Sequence, residues 1–233
     1  MLEDVLRSGF AEMGIAADGT AIGRFRGYYD ALEAKNAVMN LTAIRGEDES
    51  ARLHFLDSAS PLLLGSLAGR RVIDVGTGAG FPGLPLKILE PEMQLTLLDS
   101  LGKRVDFLRE VCTALSLPGV ECVHGRAEEP GERRETYDAA VSRAVARLSV
   151  LCELCLPYVK PGGVFYALKG PGAAEELAEA GRAVTALGGR VERIFDYAVP
   201  GEALRHNIVV IRKASPTPKK YPRRFALIKK SPL

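Results

Sequence analysis

Several features that mark other classes of protein are scarce in this chain of 233 residues. Its four cysteines are too few and too scattered for a disulfide framework in a chain of this size. No apolar run approaches the roughly 18 residues that cross a bilayer. The opening residues, MLEDVLRSGF, lack the basic start and apolar stretch of a secretory signal. We therefore expect a cytoplasmic protein that does not enter a membrane.

Two of the cysteines form a CxxC pair, but a second pair of metal ligands is missing. Cys152 and Cys155 lie in the apolar stretch LSVLCELCLPYV, whose helical spacing puts both thiols on one face. Because no second ligand pair follows, the pattern favours core packing over metal or redox chemistry. We predict no metal site.

Acidic residues are absent after Glu202, whereas nine lysines and arginines follow it. Residues 1–202 therefore carry a net charge of −7, against +2 for the whole chain. An acidic body with a basic end indicates a polyanionic partner that approaches from one side. The candidate contacts are Lys219, Lys220, Arg223, Arg224, Lys229 and Lys230. Segment 214–233 has four prolines and little periodicity, so we predict an extended basic arm, with a plain solvated tail as the alternative.

Strands and helices alternate from residue 71 onward, behind a stretch with helical spacing over residues 1–65. Repeated strand–helix units build a parallel sheet with helices on both faces. Only a few residues separate the last two strand-like runs, too few for a crossover helix, so these runs should form an antiparallel hairpin. The other predicted elements are strands at 71–75, 94–98, 119–123, 137–142 and 162–168, and helices at 83–90, 102–116, 126–130, 147–158 and 173–187.

The stretch DVGTGAGFPG, directly after the first of these strands, is rich in glycine. Gly76, Gly78 and Gly80 follow Asp74 in the pattern DxGxGxG. Gly78, Gly80 and Gly83 also match GxGxxG, the dinucleotide fingerprint. Glycines let a ligand lie against the backbone. A carboxylate beside the loop suits a cationic sulfonium ligand and repels a pyrophosphate, which favours S-adenosylmethionine over a dinucleotide.

Polar residues also stand at the ends of the next three strands, and in an open α/β sheet these ends meet at one ligand-binding edge. Asp99 would accept hydrogen bonds from ribose hydroxyls, and Ala127 and Glu128 follow where an adenine would lie. Arg143 would position a methionine carboxylate or a substrate phosphate. The structural alternatives are a helix cap for Asp99, a solvated acid for Glu128 and a surface side chain for Arg143.

Seven stretches, in this order and spacing, carry a resemblance to one family. They are NLTAIR (40–45), HFLDS (54–58), DVGTGAGFPGLPL (74–86), LLDSLGKRVDFL (97–108), GRAEE (125–129), SRAVA (142–146) and FYALKG (165–170). Together they resemble the small-subunit ribosomal RNA methyltransferase G family, also called glucose-inhibited division protein B. The resemblance covers nearly the whole chain.

The resemblance implies an activity and a fold. The activity is N7-methylation of a guanosine in the 530 loop of bacterial 16S rRNA, as free RNA or within the 30S subunit, with S-adenosylmethionine as donor. The fold is a Rossmann-like class I methyltransferase domain at 66–213, with a seven-stranded, mostly parallel sheet whose last strand is antiparallel. It lies between a helical cap at 1–65 and the basic arm at 214–233, and we expect a monomer.

The resemblance also assigns residues. It places Gly76, Phe81, Ala127, Glu128 and Arg143 at cofactor-contacting positions and Asp99 at the ribose. Asn40, His54 and Asp57 match motifs of the cap. The tail departs from the family, since Phe225, Ala226, Leu227 and Ile228 stand where relatives often carry a Gly-x-Pro piece.

The implied chemistry agrees with the lack of an obvious catalytic His or Cys. Guanine N7 has an in-plane lone pair and no proton, so it attacks a sulfonium methyl without a general base. Two alternatives stay open. The GxGxxG match would also suit an NAD-type Rossmann oxidoreductase. A non-catalytic RNA-binding factor is the other, against which the intact Asp74, Gly76, Gly78 and Asp99 argue.

Overall fold

The computed structural model describes residues 1–143 and 146–233, so Ala144 and Val145 of the SRAVA stretch lie outside the described residues. The chain opens with two helices, α1 (Leu2–Glu12) and α2 (Gly19–Met39). Asp18 starts α2 because its Oδ1 accepts a hydrogen bond from the Ala21 backbone N–H at 2.7 Å. Asn40 ends it in the left-handed conformation, with φ of 48°.

A third helical segment completes the cap and changes winding three times. It runs through α3 (Glu47–Glu49), a π-helix (Ser50–Leu56), α4 (Asp57–Ala59) and a 3₁₀ turn (Ser60–Leu64). Phe55 of the π-helix packs on Phe25, and Phe25 on Phe10, with ring centroids 5.1 and 5.4 Å apart. This aromatic cluster joins the three helical segments into one layer.

The described residues form one seven-stranded sheet in the order β3-β2-β1-β4-β5-β7-β6. Its strands are β1 (Arg71–Val75), β2 (Gln94–Asp99), β3 (Val120–His124), β4 (Tyr137–Arg143), β5 (Val159–Lys169), β6 (Gly189–Ala198) and β7 (Arg205–Lys213). Strands β1 to β5 are parallel, and β7 is antiparallel to both β5 and β6. The predicted class I methyltransferase fold, with its closing antiparallel hairpin, is confirmed.

The helices around the sheet are α5 (Gly83–Leu89), α6 (Gly102–Ala114), α7 (Leu148–Cys155) and α8 (Ala173–Ala186). The predicted helix at 126–130 is wrong, since the chain there forms a turn and then a 3₁₀ turn at Gly131–Arg133. Pro130 restrains the residue before it from helical angles, and so short a stretch does not repay helix nucleation.

Segment 214–233 is packed against the domain rather than extended. Thr217 and Ile228 are buried, and residues Phe225–Lys230 form a short helix, α9. Arg134 donates hydrogen bonds to the Thr217 and Tyr221 carbonyls at 2.6 and 2.8 Å. These long-range contacts order the segment, although its sequence has no regular apolar periodicity.

The core lies on the two faces of the sheet, one under the cap and the other under α7 and α8. Cys152 and Cys155 are buried in the second of these layers, and burial raises the pKa of both thiols, to about 12 for Cys152. In the part of the chain that the structure describes, no helix is long and apolar enough to cross a membrane.

Candidate active site

The glycine loop after β1 folds around the buried carboxyl group of Asp74. Asp74 Oδ2 accepts hydrogen bonds from the Thr77 hydroxyl at 2.7 Å and the Gly83 backbone N–H at 2.8 Å. A Cβ at Gly83 would lie 2.8 Å from the same oxygen, so a larger residue there would push the loop away. Asp74 is fully buried, and this burial raises the pKa of its carboxyl group to about 7.

Asp99, at the end of β2, supports the same loop from the other side. Its Oδ2 accepts a hydrogen bond from the Gly78 backbone N–H, and its Oδ1 from the Leu101 N–H, both at 2.9 Å. Leu101 directly precedes α6, so the second bond closes the turn that leads from β2 into this helix. Each carboxylate oxygen has a second lone pair, which leaves acceptors for ribose hydroxyls.

A cavity of about 200 Å³ opens beside this loop, outside the ends of β1, β2 and β3. We call it the loop cavity. Its polar wall includes carboxylates from Asp99 and Glu128, and its apolar wall includes Leu151 and Leu154 of α7 and Phe225 of α9. A polar side for hydroxyl groups and a flat apolar side for a ring suit a nucleoside.

The nine predicted cofactor residues fall into three groups. Four line the loop cavity: Gly76, Asp99, Ala127 and Glu128. Three lie behind it, with Asp74 in β1 and both Gly78 and Gly80 in the loop. Two lie against the N-terminal cap: Phe81 and Arg143.

A second cavity, of about 670 Å³, lies outside the ends of β4 and β5, under the cap. We call it the cap cavity. It is lined by His54, Asp57, Arg143, Lys169, Tyr197 and His206, among others. The strand order reverses between β1 and β4, so the two cavities flank the switch point where open α/β sheets bind ligands.

Asp57 is the centre of the cap cavity's hydrogen bonds. Its Oδ1 accepts from the Tyr197 hydroxyl and from His206 Nδ1, both at 2.7 Å, and its Oδ2 from Arg143 Nη1 at 3.0 Å. Burial opposes ionisation, but the bond from His206, the charge of Arg143 and the bond from Tyr197 together lower the pKa of Asp57. The same contact with Asp57 raises the pKa of His206.

Arg143 makes hydrogen bonds with three residues of the cap, the first of them Asp57. Its Nη1 also donates to the Leu53 carbonyl at 2.6 Å, and its Nη2 donates to His54 Nδ1 at 3.0 Å. The guanidinium carbon lies 4.9 Å from the centre of the Phe81 ring. Within the described residues, the Nε–H and one N–H on Nη2 make no hydrogen bond, so two donors are available to a ligand.

His54 is a neutral support for this arginine. Because its Nδ1 accepts from Arg143, its Nε2 carries the proton and donates to Thr42 Oγ1 at 2.8 Å. Burial and then the charge of Arg143 lower the pKa of His54 to about 3. The ring stacks on Phe81, with centroids 4.3 Å apart. His54 is therefore unsuited to acid–base work near neutral pH.

Asn40 does not reach either cavity and is exposed at the end of α2. The neighbouring asparagine, Asn36, is buried and holds the chain instead. Its side chain donates to the Thr42 carbonyl and accepts from the Thr42 N–H, both at 3.0 Å. This places Thr42 against His54.

Three residues of the cap cavity are not among those predicted from the sequence: Lys169, Tyr197 and His206. Lys169 Nζ donates to the Ala146 carbonyl at 2.6 Å and pairs with Glu176 at 2.8 Å. Tyr197 and His206 are cross-strand partners in the β6–β7 hairpin. The hairpin was predicted, so its register was the signal that could have found this pair.

The six basic residues of the tail divide into two kinds. Arg223 is committed to the protein, because its guanidinium makes an ion pair at 2.6 Å with Glu153, which is fully buried. Five are exposed: Lys219, Lys220, Arg224, Lys229 and Lys230.

The residues around the loop fit the S-adenosylmethionine expected from the sequence. Asp74 Oδ1 is buried and has no hydrogen-bond partner within the described part of the chain. An acceptor left unused beside the loop suits a ligand that carries ammonium and sulfonium groups. The carboxylates and the apolar wall of the loop cavity suit its adenosine.

Comparison with known proteins matches residues 21–203 to the family described as rRNA small subunit methyltransferase G. A protein of that name from Alkaliphilus oremlandii is 48% identical over 236 residues, covering 100% of this chain and 99% of the relative. Another, from Clostridium botulinum, is 43% identical over 238 residues and covers 99% and 98%.

Solved structures agree on the fold. A SAM-dependent methyltransferase from Aquifex aeolicus has a TM-score of 0.54 at 23% identity, covering 70% of this chain and 94% of its own. A variant of the 16S rRNA (adenine(1408)-N(1))-methyltransferase from Catenulisporales acidiphilia has a TM-score of 0.53 at 17% identity, covering 65% and 88%.

Proposed function

The chain belongs to the rRNA small subunit methyltransferase G family, and we propose that it methylates N7 of a guanosine in the 530 loop of 16S rRNA. Membership confirms the predicted family, the enzyme class and S-adenosylmethionine as cofactor. Neither the oxidoreductase nor the non-catalytic alternative is supported. The observation that carries the proposal is the pair of cavities that flank the switch point of the sheet, one fitted to a nucleoside and the other to a polar base.

The loop cavity holds and orients the cofactor. Asp99 accepts from the ribose hydroxyls, Gly76 lets the ligand approach the backbone, and Ala127 and Glu128 border the adenine. The carboxyl group of Asp74 lies behind the loop and favours the cationic end. When bound, S-adenosylmethionine supplies an electrophilic methyl group.

The cap cavity receives the guanine. Guanine presents two acceptors on one edge, N7 and O6. N7 must keep its lone pair, so the donors of Arg143 and His206 suit O6. Arg143 acts as a positioning residue, and in-line placement is worth about 7–11 kcal/mol in well-oriented reactions.

No residue has to remove a proton, because N7 carries none. The purine becomes cationic as the new bond forms, and the carboxylate of Asp57 lies in the same cavity to offset that charge. A guanine can enter the cavity only after it has left the base stack of the RNA. The cap cavity, at about 670 Å³, is large enough to hold the unstacked base.

The RNA backbone would meet the exposed part of the tail. Lys219, Lys220, Arg224, Lys229 and Lys230 offer five charges to phosphates. Arg223 stays in its ion pair with Glu153 and would bind no RNA. We further propose that the enzyme acts as a monomer in the cytoplasm, on 16S rRNA either free or assembled in the 30S subunit.

The decisive experiment is methyl transfer from labelled S-adenosylmethionine to 16S rRNA, as naked RNA and as 30S particles from cells that lack the activity. We expect label on guanine N7 in the 530 loop, and the substrate form that is labelled faster identifies the partner. Label on another base would contradict the proposed target nucleotide. No label on either substrate would contradict the proposed methyltransferase activity.

The tail is tested separately by charge reversal. Lys229→Glu with Lys230→Glu should weaken RNA binding and make it less sensitive to salt, by about 0.7–0.9 in the slope of log K against log salt per lost contact. The matched pair of single reversals is Lys229→Glu against Arg182→Glu, on the second half of α8, which leads away from the site. An equal effect of both variants would argue against a phosphate-binding tail.

A further inference from the structure

The C-terminal segment crosses the protein from one edge of the sheet to the other. β7 ends at Lys213 on the edge away from the cavities, where Lys213 Nζ donates to the Leu156 carbonyl at 2.6 Å and pairs with Glu135 at 3.1 Å. The chain then passes Arg134 and reaches α7, where Arg223 pairs with Glu153. It arrives at the carboxyl edge as α9.

Two side chains of α9 are placed very differently. Ile228 is fully buried in the core layer that contains α7 and α8. Phe225 is 40% exposed, yet it lines the loop cavity together with Leu151, Leu154 and Glu128. Ile228 and the Arg223–Glu153 pair therefore fix α9 from both sides, and this leaves the Phe225 ring at the cavity.

The position of the ring along the cavity identifies the part of a ligand it can meet. Phe225 also borders a surface depression with Arg126 and Glu128, so it lies at the end of the cavity formed after β3. Asp99 ends β2 and Gly76 directly follows β1, so both lie at the other end of the cavity. With the ribose at Asp99, the group beyond it toward Glu128 is the adenine.

We infer that Phe225 is a cofactor-binding residue, which packs its ring against the adenine of S-adenosylmethionine and makes the C-terminal segment a wall of the cofactor site. This rests on the proposed role of the loop cavity. The physical reason is that a planar base and an aromatic ring both gain from contact that removes apolar surface from water. Contact with an adenine would also cover apolar surface of Phe225 that the described residues leave exposed.

The test uses S-adenosylhomocysteine as the probe and the full-length chain, with titration calorimetry for the Kd. Phe225→Ala should raise the Kd by about tenfold, as expected for loss of one base–aromatic contact. Phe225→Tyr, which keeps the ring, should stay within about twofold. 5′-Methylthioadenosine retains the adenine but lacks the amino acid, so its Kd should rise by the same factor in Phe225→Ala.

Leu227→Ala is the matched control, because Leu227 is an exposed apolar residue of the same helix outside the loop cavity. It should leave both Kd values unchanged. If wild-type protein binds and Phe225→Ala binds equally well, the inference is overturned while the proposed function stands. If wild-type protein binds neither probe, the proposed function fails and the inference with it. Thermal melting without ligand shows that each variant is folded.

Discussion

The loop cavity and the cap cavity lie side by side on one edge of the sheet, but different parts of the chain shape them. The loop cavity depends on backbone, with N–H groups of the loop fixed by the carboxyl groups of Asp74 and Asp99. The cap cavity depends on side chains brought from remote segments, such as Tyr197 and His206, which lie 140 and 149 residues from Asp57. We therefore expect the loop cavity to be sensitive to substitutions that add a Cβ to a glycine. We expect the cap cavity to be sensitive to substitutions that remove a charged side chain.

The largest effect is expected where the cap cavity loses its central charge. Asp57→Ala leaves Arg143 and His206 without their shared carboxylate, and breaking such a buried pair costs about 3–5 kcal/mol. Urea unfolding should show this loss, and methyl transfer should fall sharply. The Kd for S-adenosylhomocysteine should change less than about threefold, because the loop cavity is built separately.

Asp48→Ala is the control for this change, since Asp48 makes an exposed ion pair with Arg52. It should cost less than about 1 kcal/mol. A large loss of cofactor affinity in Asp57→Ala would show that the two cavities are one unit.

The backbone-built cavity is tested next, by adding a single methyl group. A Cβ at Gly80 would lie 2.5 Å from Tyr28 Oη and 2.6 Å from Leu84 Cδ1, at φ of 109°. Gly80→Ala should cost about 2–3 kcal/mol in unfolding free energy. It should also weaken S-adenosylhomocysteine binding at least fivefold, measured by calorimetry, because the loop must move.

Gly69→Ala separates the two causes of that effect. Gly69 also has a positive φ, of 68°, but a Cβ there would meet nothing within 4 Å. We expect a loss of about 1 kcal/mol with unchanged cofactor affinity. Equal Kd values for both variants would mean that crowding at Gly80 does not reach the site.

The next change removes a carboxylate that bonds the loop and, in the proposed site, the ligand, without crowding the fold. Asp99→Ala removes the acceptor for the Gly78 N–H and, in the proposed site, for the ribose. Hydrogen bonds to charged groups contribute about 1.5–3 kcal/mol, so the Kd for S-adenosylhomocysteine should rise about tenfold or more. Asp106→Ala, on the exposed side of α6, should leave it unchanged, and a similar loss in both variants would refute a specific role for Asp99.

The smallest effect is a pH dependence confined to the cap cavity. The lowered pKa of Asp57 stabilises the fold above the ordinary value of 3.8, and the raised pKa of His206 stabilises it below 6.5. Stability from this pair is therefore complete between those values. It is lost as the pH falls through the Asp57 pKa or rises through the His206 pKa.

Comparison with His206→Gln isolates the basic limb of this profile. The difference in unfolding free energy between wild type and variant should be largest near pH 6 and shrink by pH 9, by less than about 1 kcal/mol because His206 is partly exposed. The charges of Arg143 and Glu202 also act on the pKa of His206, Arg143 lowering it and Glu202 raising it. A difference that grows with pH would reverse the assignment.

The sequence predicted the loop cavity better than the cap cavity, for a physical reason. Asp74, Gly76 and Gly78 follow one another in the chain, so their chemistry and their spacing are visible together. Asp99 is found from the strand period alone, because parallel strands end at one edge. Residues that are close in sequence have relative positions that their spacing largely determines, so such a motif can be recognised without the fold.

The cap cavity has no such motif. Asp57 was recognised only as a match to a family pattern, because its partners come from β4, β6 and β7. The π-helix before it turns His54 and Asp57 toward the same arginine, and helical periodicity does not reveal such a change of winding. The prediction of an extended arm at 214–233 is wrong for a similar reason, because Ile228 and Arg223 are anchored by residues far away in sequence.

The Arg223–Glu153 pair also bears on the order in which this protein is made. Glu153 is fully buried in α7, and its guanidinium partner is synthesised 70 residues later. A nascent chain that has not yet emerged to Arg223 holds a carboxylate in its core with no counter-charge. The domain therefore gains the stability of this ion pair only after residue 223 has emerged from the exit tunnel, whatever the rest of the fold has already formed.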